Sequence, residues 1–167
     1  MISRDLEGNE YEITADDLTW RPSAYGIVIR KNKILLVKER GKFHLPGGGI
    51  DLGESPDSAV LREVREETGC TVKNPKLITM ASSFFSYRTS GSPPHLQHVQ
   101  SLLIYYACEY IHYNPNDIHL DKYEQEAGLE MEWVDSDRLG DIPVGTTVDW
   151  RPAVRQVLEM VPADTRK

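Results

Sequence analysis

The first regular apolar pattern in the chain is a pair of runs rich in β-branched residues, at residues 25–30 and 34–38. Such residues favour strands, and the short polar segment between the two runs is typical of a tight turn. The pattern therefore predicts an antiparallel strand pair. Similar runs predict strands at residues 72–81, 84–87, 101–109 and 129–134, and residues 90–98 are predicted to form a loop.

Two helices are predicted from start signals, stop signals and apolar spacing. Ser55 followed by Pro56 is typical of a helix start, and Gly69 is typical of a helix end, which places a helix at residues 56–67. A second helix is predicted at residues 152–160. Strands on both sides of a helix predict an α+β domain.

The first helix carries acidic side chains along one face. On a helical wheel Val60 and Val64 fall on one side, whereas Glu63, Glu66 and Glu67 fall on another at spacings of three and four residues. Like charges at these spacings destabilise a helix by about 0.2–0.5 kcal/mol per pair. The face is therefore either solvated and balanced by neighbouring arginines, or a binding site for a hard cation such as Mg²⁺ or Mn²⁺.

Three consecutive glycines, Gly47, Gly48 and Gly49, lie just before this helix. Glycine allows the main chain to approach a ligand closely. The segment does not match the dinucleotide-binding G-x-G-x-x-G pattern, because Leu52 occupies the third glycine position. The triplet is either a flexible turn or the second wall of the cation site.

Composition and charge limit the classes of function. The chain has 167 residues, which fit one domain, and its 40% hydrophobic and 27% charged residues indicate a globular protein. A net charge of -7 argues against an extended nucleic-acid surface. Cys70 and Cys108 fit no zinc or redox spacing, so both are expected to be buried thiols. Without a signal peptide or a long apolar run, we expect a cytoplasmic protein with no membrane contact.

The glycines and acidic residues together resemble a known family motif. Their spacing is similar to the complete Nudix box, G-x5-E-x7-R-E-U-x-E-E-x-G-U, where U is an aliphatic residue. The matching positions are Gly48, Glu54, Arg62, Glu63, Val64, Glu66, Glu67, Gly69 and Cys70. The one mild departure is Cys70, which stands where an aliphatic residue is usual.

The resemblance implies an α/β/α sandwich around a mixed β-sheet. It also implies divalent-metal-dependent hydrolysis of the pyrophosphate bond in a nucleoside diphosphate linked to another moiety. Carried onto this sequence, the metal ligands would be Glu63, Glu66 and Glu67, assisted by the main-chain carbonyl of Gly48 or a neighbour. Glu54 would support the loop, Arg62 would orient the glutamates, and Glu63 would take part in catalysis.

The general base and the substrate contacts are less clearly indicated. Glu63 is one candidate base, and the acids after residue 120 are others: Glu124, Glu126 and Glu130. Arg40 and Lys42, just before the glycines, are placed to bind substrate phosphates.

Two other functions remain open: a nucleotide-binding or sensor module without turnover, and an isomerase of the isopentenyl diphosphate type. The intact box favours the hydrolase over the sensor, and no obvious active-site cysteine supports the isomerase. We expect an N-terminal extension with a small hairpin at residues 1–20, the Nudix domain at 21–162 and a short tail at 163–167. A homodimer is compatible with the sequence.

Overall fold

The computed structural model of the chain describes residues 1–5, 8–89, 95–145 and 148–160. Within these ranges nine strands form the sheet: β1 (Ile2–Arg4), β2 (Glu10–Glu12), β3 (Leu18–Arg30), β4 (Lys33–Glu39), β5 (Lys42–His44), β6 (Gly47–Gly49), β7 (Cys70–Arg88), β8 (Leu96–Tyr113) and β9 (Glu130–Asp135). The described part of the chain also contains three α-helices: α1 (Pro56–Thr68), α2 (Lys122–Ala127) and α3 (Arg151–Met160).

The strands run in the order β2-β1-β7-β8-β3-β4-β5, with β6 paired to β3 and β9 paired to β4. β3 is parallel to β8 and antiparallel to both β4 and β6, so the sheet is mixed. β3 and β4 pair only near their shared turn, and β6 then pairs with the first half of β3. This arrangement places the three glycines beside the middle of the sheet.

Helices cover both faces of the sheet. Successive residues of a strand point to opposite faces, so neighbouring residues contact different helices. Val28 and Leu35 pack against α1 on one face. Ile27 and Ile34, one residue earlier on the same strands, pack against α3 on the other face. The expected α/β/α arrangement around a mixed sheet is confirmed.

The first helix forms where its local signals place it. The Ser55 side chain accepts a hydrogen bond from the main-chain N–H of Ser58, and Pro56 occupies the first turn. Gly69 ends the helix in the left-handed conformation, with φ of 68°. The predicted final helix is also confirmed, and Cys70 and Cys108 are buried free thiols.

The strands after α1 are longer than predicted. β7 is one strand across both predicted runs, and β8 begins at Leu96, so residues 96–98 of the predicted loop are strand. A polar contact between the strands stabilises this extension of β8, because His98 Nδ1 lies 2.7 Å from Oγ of its partner Ser86 on β7. Residues 90–94 of that loop lie outside the described residues.

The second helix, α2, was not predicted. It contains no buried residue and therefore gives no apolar periodicity. Its signal is instead a capping box in which Asp121 and Glu124 each accept a hydrogen bond from the other's main-chain N–H.

The N-terminal residues form an antiparallel hairpin of β1 and β2. β1 lies beside β7, so the hairpin continues the main sheet. The proposed domain boundaries stay predictions. Among the described residues, no helix is long and apolar enough to cross a membrane.

Candidate active site

Helix α1 packs directly over a glycine of β3. A Cβ atom added at Gly26 would come within 2.5 Å of Val64 Cγ2. Val60 and Val64 are fully buried in this contact. The close packing carries the acidic face of α1 to the edge of β6.

The strand β6 consists of the three glycines and meets the acidic face directly. The main-chain N–H of Gly47 donates a 2.8 Å hydrogen bond to Glu67 Oε2. A Cβ atom at Gly48 would lie 2.8–2.9 Å from the carboxyl atoms of Glu63. The triplet is thus a paired strand rather than a flexible turn, and its lack of side chains lets two carboxyl groups approach the backbone.

Arg62 joins the other acidic residues of the motif. Its Nε and Nη2 donate to the two carboxylate oxygens of Glu54 at 2.9 and 2.8 Å. Its Nη1 donates to Glu63 at 2.8 Å and to Glu66 at 3.2 Å. Nη2 also donates to the Gly49 carbonyl at 3.1 Å. One guanidinium therefore fixes three carboxylates relative to β6.

Burial changes the acidity of two of these carboxyl groups. Glu67 is 7% exposed, and its burial raises its pKa well above the usual range despite the hydrogen bond from Gly47. Burial also raises the pKa of Glu63, against the opposing effect of Arg62. These two carboxyl groups are therefore poorly solvated, and a cation bound beside them would favour their charged forms.

A further carboxyl group, that of Glu124, reaches the site from α2. Burial raises the pKa of Glu63 and Glu67, and the nearby charge of Glu124 raises both further. Burial also raises the pKa of Glu124 itself. Glu126 instead forms an exposed ion pair with Lys122 at 3.8 Å. Glu130, on β9, is exposed and lies opposite Lys38 of β4. Of the three later acids considered from the sequence, the structure brings Glu124 to the motif.

The two basic residues expected to bind substrate lie in different surroundings. Arg40 is in the turn between β4 and β5, with its Nε 3.8 Å from Glu39 Oε1. Lys42 lines a cleft of about 500 Å³.

Sequence reasoning missed a third cation, Arg21. Its guanidinium nitrogens lie 3.4 Å from the position that a Cβ atom of Gly49 would occupy. Arg21 precedes the apolar run of β3, and no local sequence pattern marks it as a site residue. The pairing of Ser23 with Gly49 places it beside the glycine strand β6.

Comparison with known proteins agrees with this geometry. The model of the NUDIX domain matches residues 20–156. The chain belongs to the Nudix family. A NUDIX hydrolase from Nitrosomonas europaea superposes with a TM-score of 0.63 at 20% identity, covering 87% of this chain and 95% of that one. This likeness confirms the Nudix fold.

Two curated relatives differ in their named substrates. An ADP-ribose pyrophosphatase from Methanocaldococcus jannaschii is 44% identical over 63 residues, which are 35% of this chain and 37% of the relative. An RNA pyrophosphohydrolase from Ruthia magnifica subsp. Calyptogena magnifica is 28% identical over 139 residues, 77% of this chain and 74% of that protein. The chain spans less than half the length of the first curated relatives that it matches.

The carboxyl groups of this Nudix protein are not arranged as a closed metal site. Within the described parts of the chain, no group of three His, Cys, Asp or Glu side chains is positioned to hold a metal ion. Glu63 and Glu66 are turned toward Arg62, which donates to both. The donor chemistry nevertheless fits a hard divalent cation, because all the donors are oxygens and one of them is buried.

The raised pKa of Glu67 predicts a pH-dependent stability in the metal-free protein. A carboxyl group whose pKa is raised on folding favours the folded state at low pH, and that contribution is lost as pH rises through the folded pKa. We expect Glu67→Gln to raise the free energy of unfolding at pH 8, because the neutral amide avoids the cost of a buried carboxylate charge. The glutamine oxygen can still accept from Gly47.

Urea unfolding in EDTA between pH 5 and pH 8 measures this effect. The gain of Glu67→Gln over wild type should shrink as pH falls. Glu126→Gln, at the exposed ion pair on α2, is the matched control and should change little at any pH. A Glu67→Gln difference that is constant across the range contradicts the assignment.

Proposed function

We propose that this Nudix protein is a divalent-metal-dependent hydrolase of the pyrophosphate bond in a nucleoside diphosphate linked to another moiety. The observation that carries the proposal is the convergence of Glu63, Glu66 and Glu67 at the edge of β6, with Arg62 fixing two of them. Relatives named ADP-ribose pyrophosphatase and RNA pyrophosphohydrolase support the reaction class.

The three glutamates are proposed to hold Mg²⁺ or Mn²⁺. When bound, such an ion neutralises pyrophosphate oxygens, acidifies a water and stabilises the leaving oxygen. A solvated acidic face does not account for Glu67, because this side chain is buried and its pKa is raised. Arg62 and Glu54 are proposed to position the ligands, since their two-point ion pair anchors the guanidinium.

A glycine carbonyl is proposed to complete the oxygen ligands. Gly26 N–H donates to the Pro46 carbonyl, and Ile50 N–H donates to the Pro22 carbonyl. Along one strand, every second residue directs its N–H and C=O groups toward the same neighbouring strand. Gly48 lies between Pro46 and Ile50 in this alternation, so its carbonyl also faces β3. Those of Gly47 and Gly49 lie at the free edge, where Gly49 already accepts from Arg62. We therefore propose Gly47, rather than Gly48, as the carbonyl ligand.

Two carboxyl groups remain candidates for the general base. Glu63 and Glu124 both have pKa values raised by burial, which brings them nearer to the range useful for proton transfer at neutral pH. Glu124 is favoured because Glu63 already accepts from Arg62 and is a proposed ligand. Arg21 and Lys42 are proposed to bind the anionic substrate, whereas Arg40 is paired with Glu39.

The test is a substrate panel with Mg²⁺, Mn²⁺ or excess EDTA, followed by chromatography of the products. The panel includes ADP-ribose, nucleotide sugars, dinucleoside polyphosphates, NADH, coenzyme A, nucleoside triphosphates and 5′-triphosphorylated RNA. We expect pyrophosphate cleavage of one class, abolished by EDTA. Full activity in EDTA contradicts metal dependence, and binding without turnover of any compound supports the sensor alternative.

A further inference from the structure

We propose that the N-terminal hairpin of β1 and β2 forms one wall of the site that binds the nucleoside phosphate half of the substrate. This inference rests on the proposed pyrophosphohydrolase function. The matched NUDIX region begins at residue 20, so the hairpin lies outside it. The family match therefore assigns no role to these residues.

The hairpin closes one side of the cleft that contains Lys42. The cleft has a volume of about 500 Å³, within the 300–1,000 Å³ that is usual for small-molecule sites. The cleft is lined by Ile2 and Arg4 of β1, by residues 82–84 of the neighbouring strand β7, and by Lys42 and Val144. Without β1, the cleft would be open along the edge of β7.

Several contacts fix the hairpin in this position. Ser3 Oγ lies 2.7 Å from Ser86 Oγ, and the Ser3 side chain is fully buried. Ser86 Oγ in turn lies 2.7 Å from His98 Nδ1 on β8. Ile13, which follows the hairpin, is 5% exposed. A wall anchored in this way is preorganised, which lowers the entropic cost of binding a ligand.

The lining of the cleft combines apolar and basic side chains with Asp5, whose carboxylate already accepts hydrogen bonds from Asn9 and Tyr11. Ile2, Phe84 and Val144 provide apolar surface for a planar base. Arg4 donates to Glu10 at 2.9 Å, so its charge is already compensated. Lys42 forms no ion pair with any residue that the structure describes, and its ammonium group is free to bind a phosphate.

The cleft and the glycine strand are joined by one row of the sheet. Ser83 on β7 pairs with Ser101 on β8, which pairs with Arg21 on β3. Residues paired in this way share one face of the sheet, and adjacent strands are about 4.8 Å apart. Arg21 is thus about 10 Å from Ser83 in the cleft lining, and its guanidinium lies beside Gly49. A single phosphate-linked compound can span both places.

The experiment measures binding of AMP and of ribose 5-phosphate to the full chain by titration calorimetry in EDTA. These probes are the two halves of ADP-ribose. We expect AMP to bind more tightly than ribose 5-phosphate, and Ile2→Trp to weaken AMP binding at least tenfold by filling the cleft. Lys42→Gln should weaken AMP at least tenfold and leave adenosine unchanged.

Leu77→Trp is the matched control. Leu77 is on β7 outside the cleft and is 51% exposed, comparable to 54% for Ile2. It should bind AMP as wild type does, and the thermal unfolding of each variant shows that it is folded. If Ile2→Trp does not fold, Lys42→Gln still tests the cleft.

The outcomes separate this inference from the proposed function. Absence of AMP binding to wild type, or equal AMP affinity in wild type and in both cleft variants, overturns the inference even if substrate is hydrolysed. If no compound of the panel is hydrolysed but AMP binding depends on Ile2 and Lys42, the proposed hydrolase function fails and the assignment of the cleft stands.

Discussion

Glu63→Gln and Glu67→Gln are each expected to lower kcat by at least about 10³-fold with the substrate that the panel identifies. Each change removes one negative charge from the proposed cation site at β6. The neutral amide keeps the size of the side chain, and at position 67 it can still accept from the Gly47 N–H. The loss should therefore appear in kcat while the protein remains folded.

Steady-state kinetics with saturating Mg²⁺ or Mn²⁺ measure this effect. Glu126→Gln, on the exposed side of α2, changes the same charge away from the site and should keep kcat within about twofold of wild type. Near-wild-type kcat in both Glu63→Gln and Glu67→Gln would place the chemistry elsewhere.

The second large effect is expected on stability: Gly47→Ala should lower the free energy of unfolding by about 3 kcal/mol. Gly47 has φ of +147°, and an added Cβ would lie 2.3 Å from the Ala24 carbonyl oxygen and 2.6 Å from Tyr25 Cα. These atoms belong to the backbone of β3 and cannot move away as a side-chain end could. The clash would separate β6 from β3 and displace the N–H that binds Glu67.

Urea unfolding of Gly47→Ala beside Gly140→Ala tests this expectation. An added Cβ at Gly140 meets no atom within 4 Å, so that variant should stay within about 0.5 kcal/mol of wild type. Equal stabilities of the two variants would show that the backbone of β6 tolerates a side chain.

The local signals around α1 were sufficient to predict its position and its acidic face. Ser55, Pro56 and Gly69 act within the helix and its first flanking residues, so their effect does not depend on the rest of the fold. The apolar side of the helix was equally predictable, because Val60 and Val64 follow helical periodicity. The same signals could not tell a solvated acidic face from a buried site.

Distant residues entered the site by routes that no local pattern contains. Glu124 belongs to α2, which begins more than 50 residues after α1 ends, yet its charge acts on Glu63 and Glu67. Arg21 reaches Gly49 through the register between β3 and β6. His98 shows the same limit in the fold: local sequence predicts a loop there, but its contact with Ser86 on the neighbouring strand β7 accompanies strand structure.

The sequence by itself determined the family motif, the acidic face of helix α1 and the alternation that buries both faces of the sheet, because these depend on spacing along one chain. Only the tertiary structure decided that Glu67 is buried, that Arg62 bridges Glu54, Glu63 and Glu66, and that the N-terminal hairpin borders a cleft. Burial and charge pairing are set by the elements packed around a residue, and for these side chains those elements come from distant parts of the sequence.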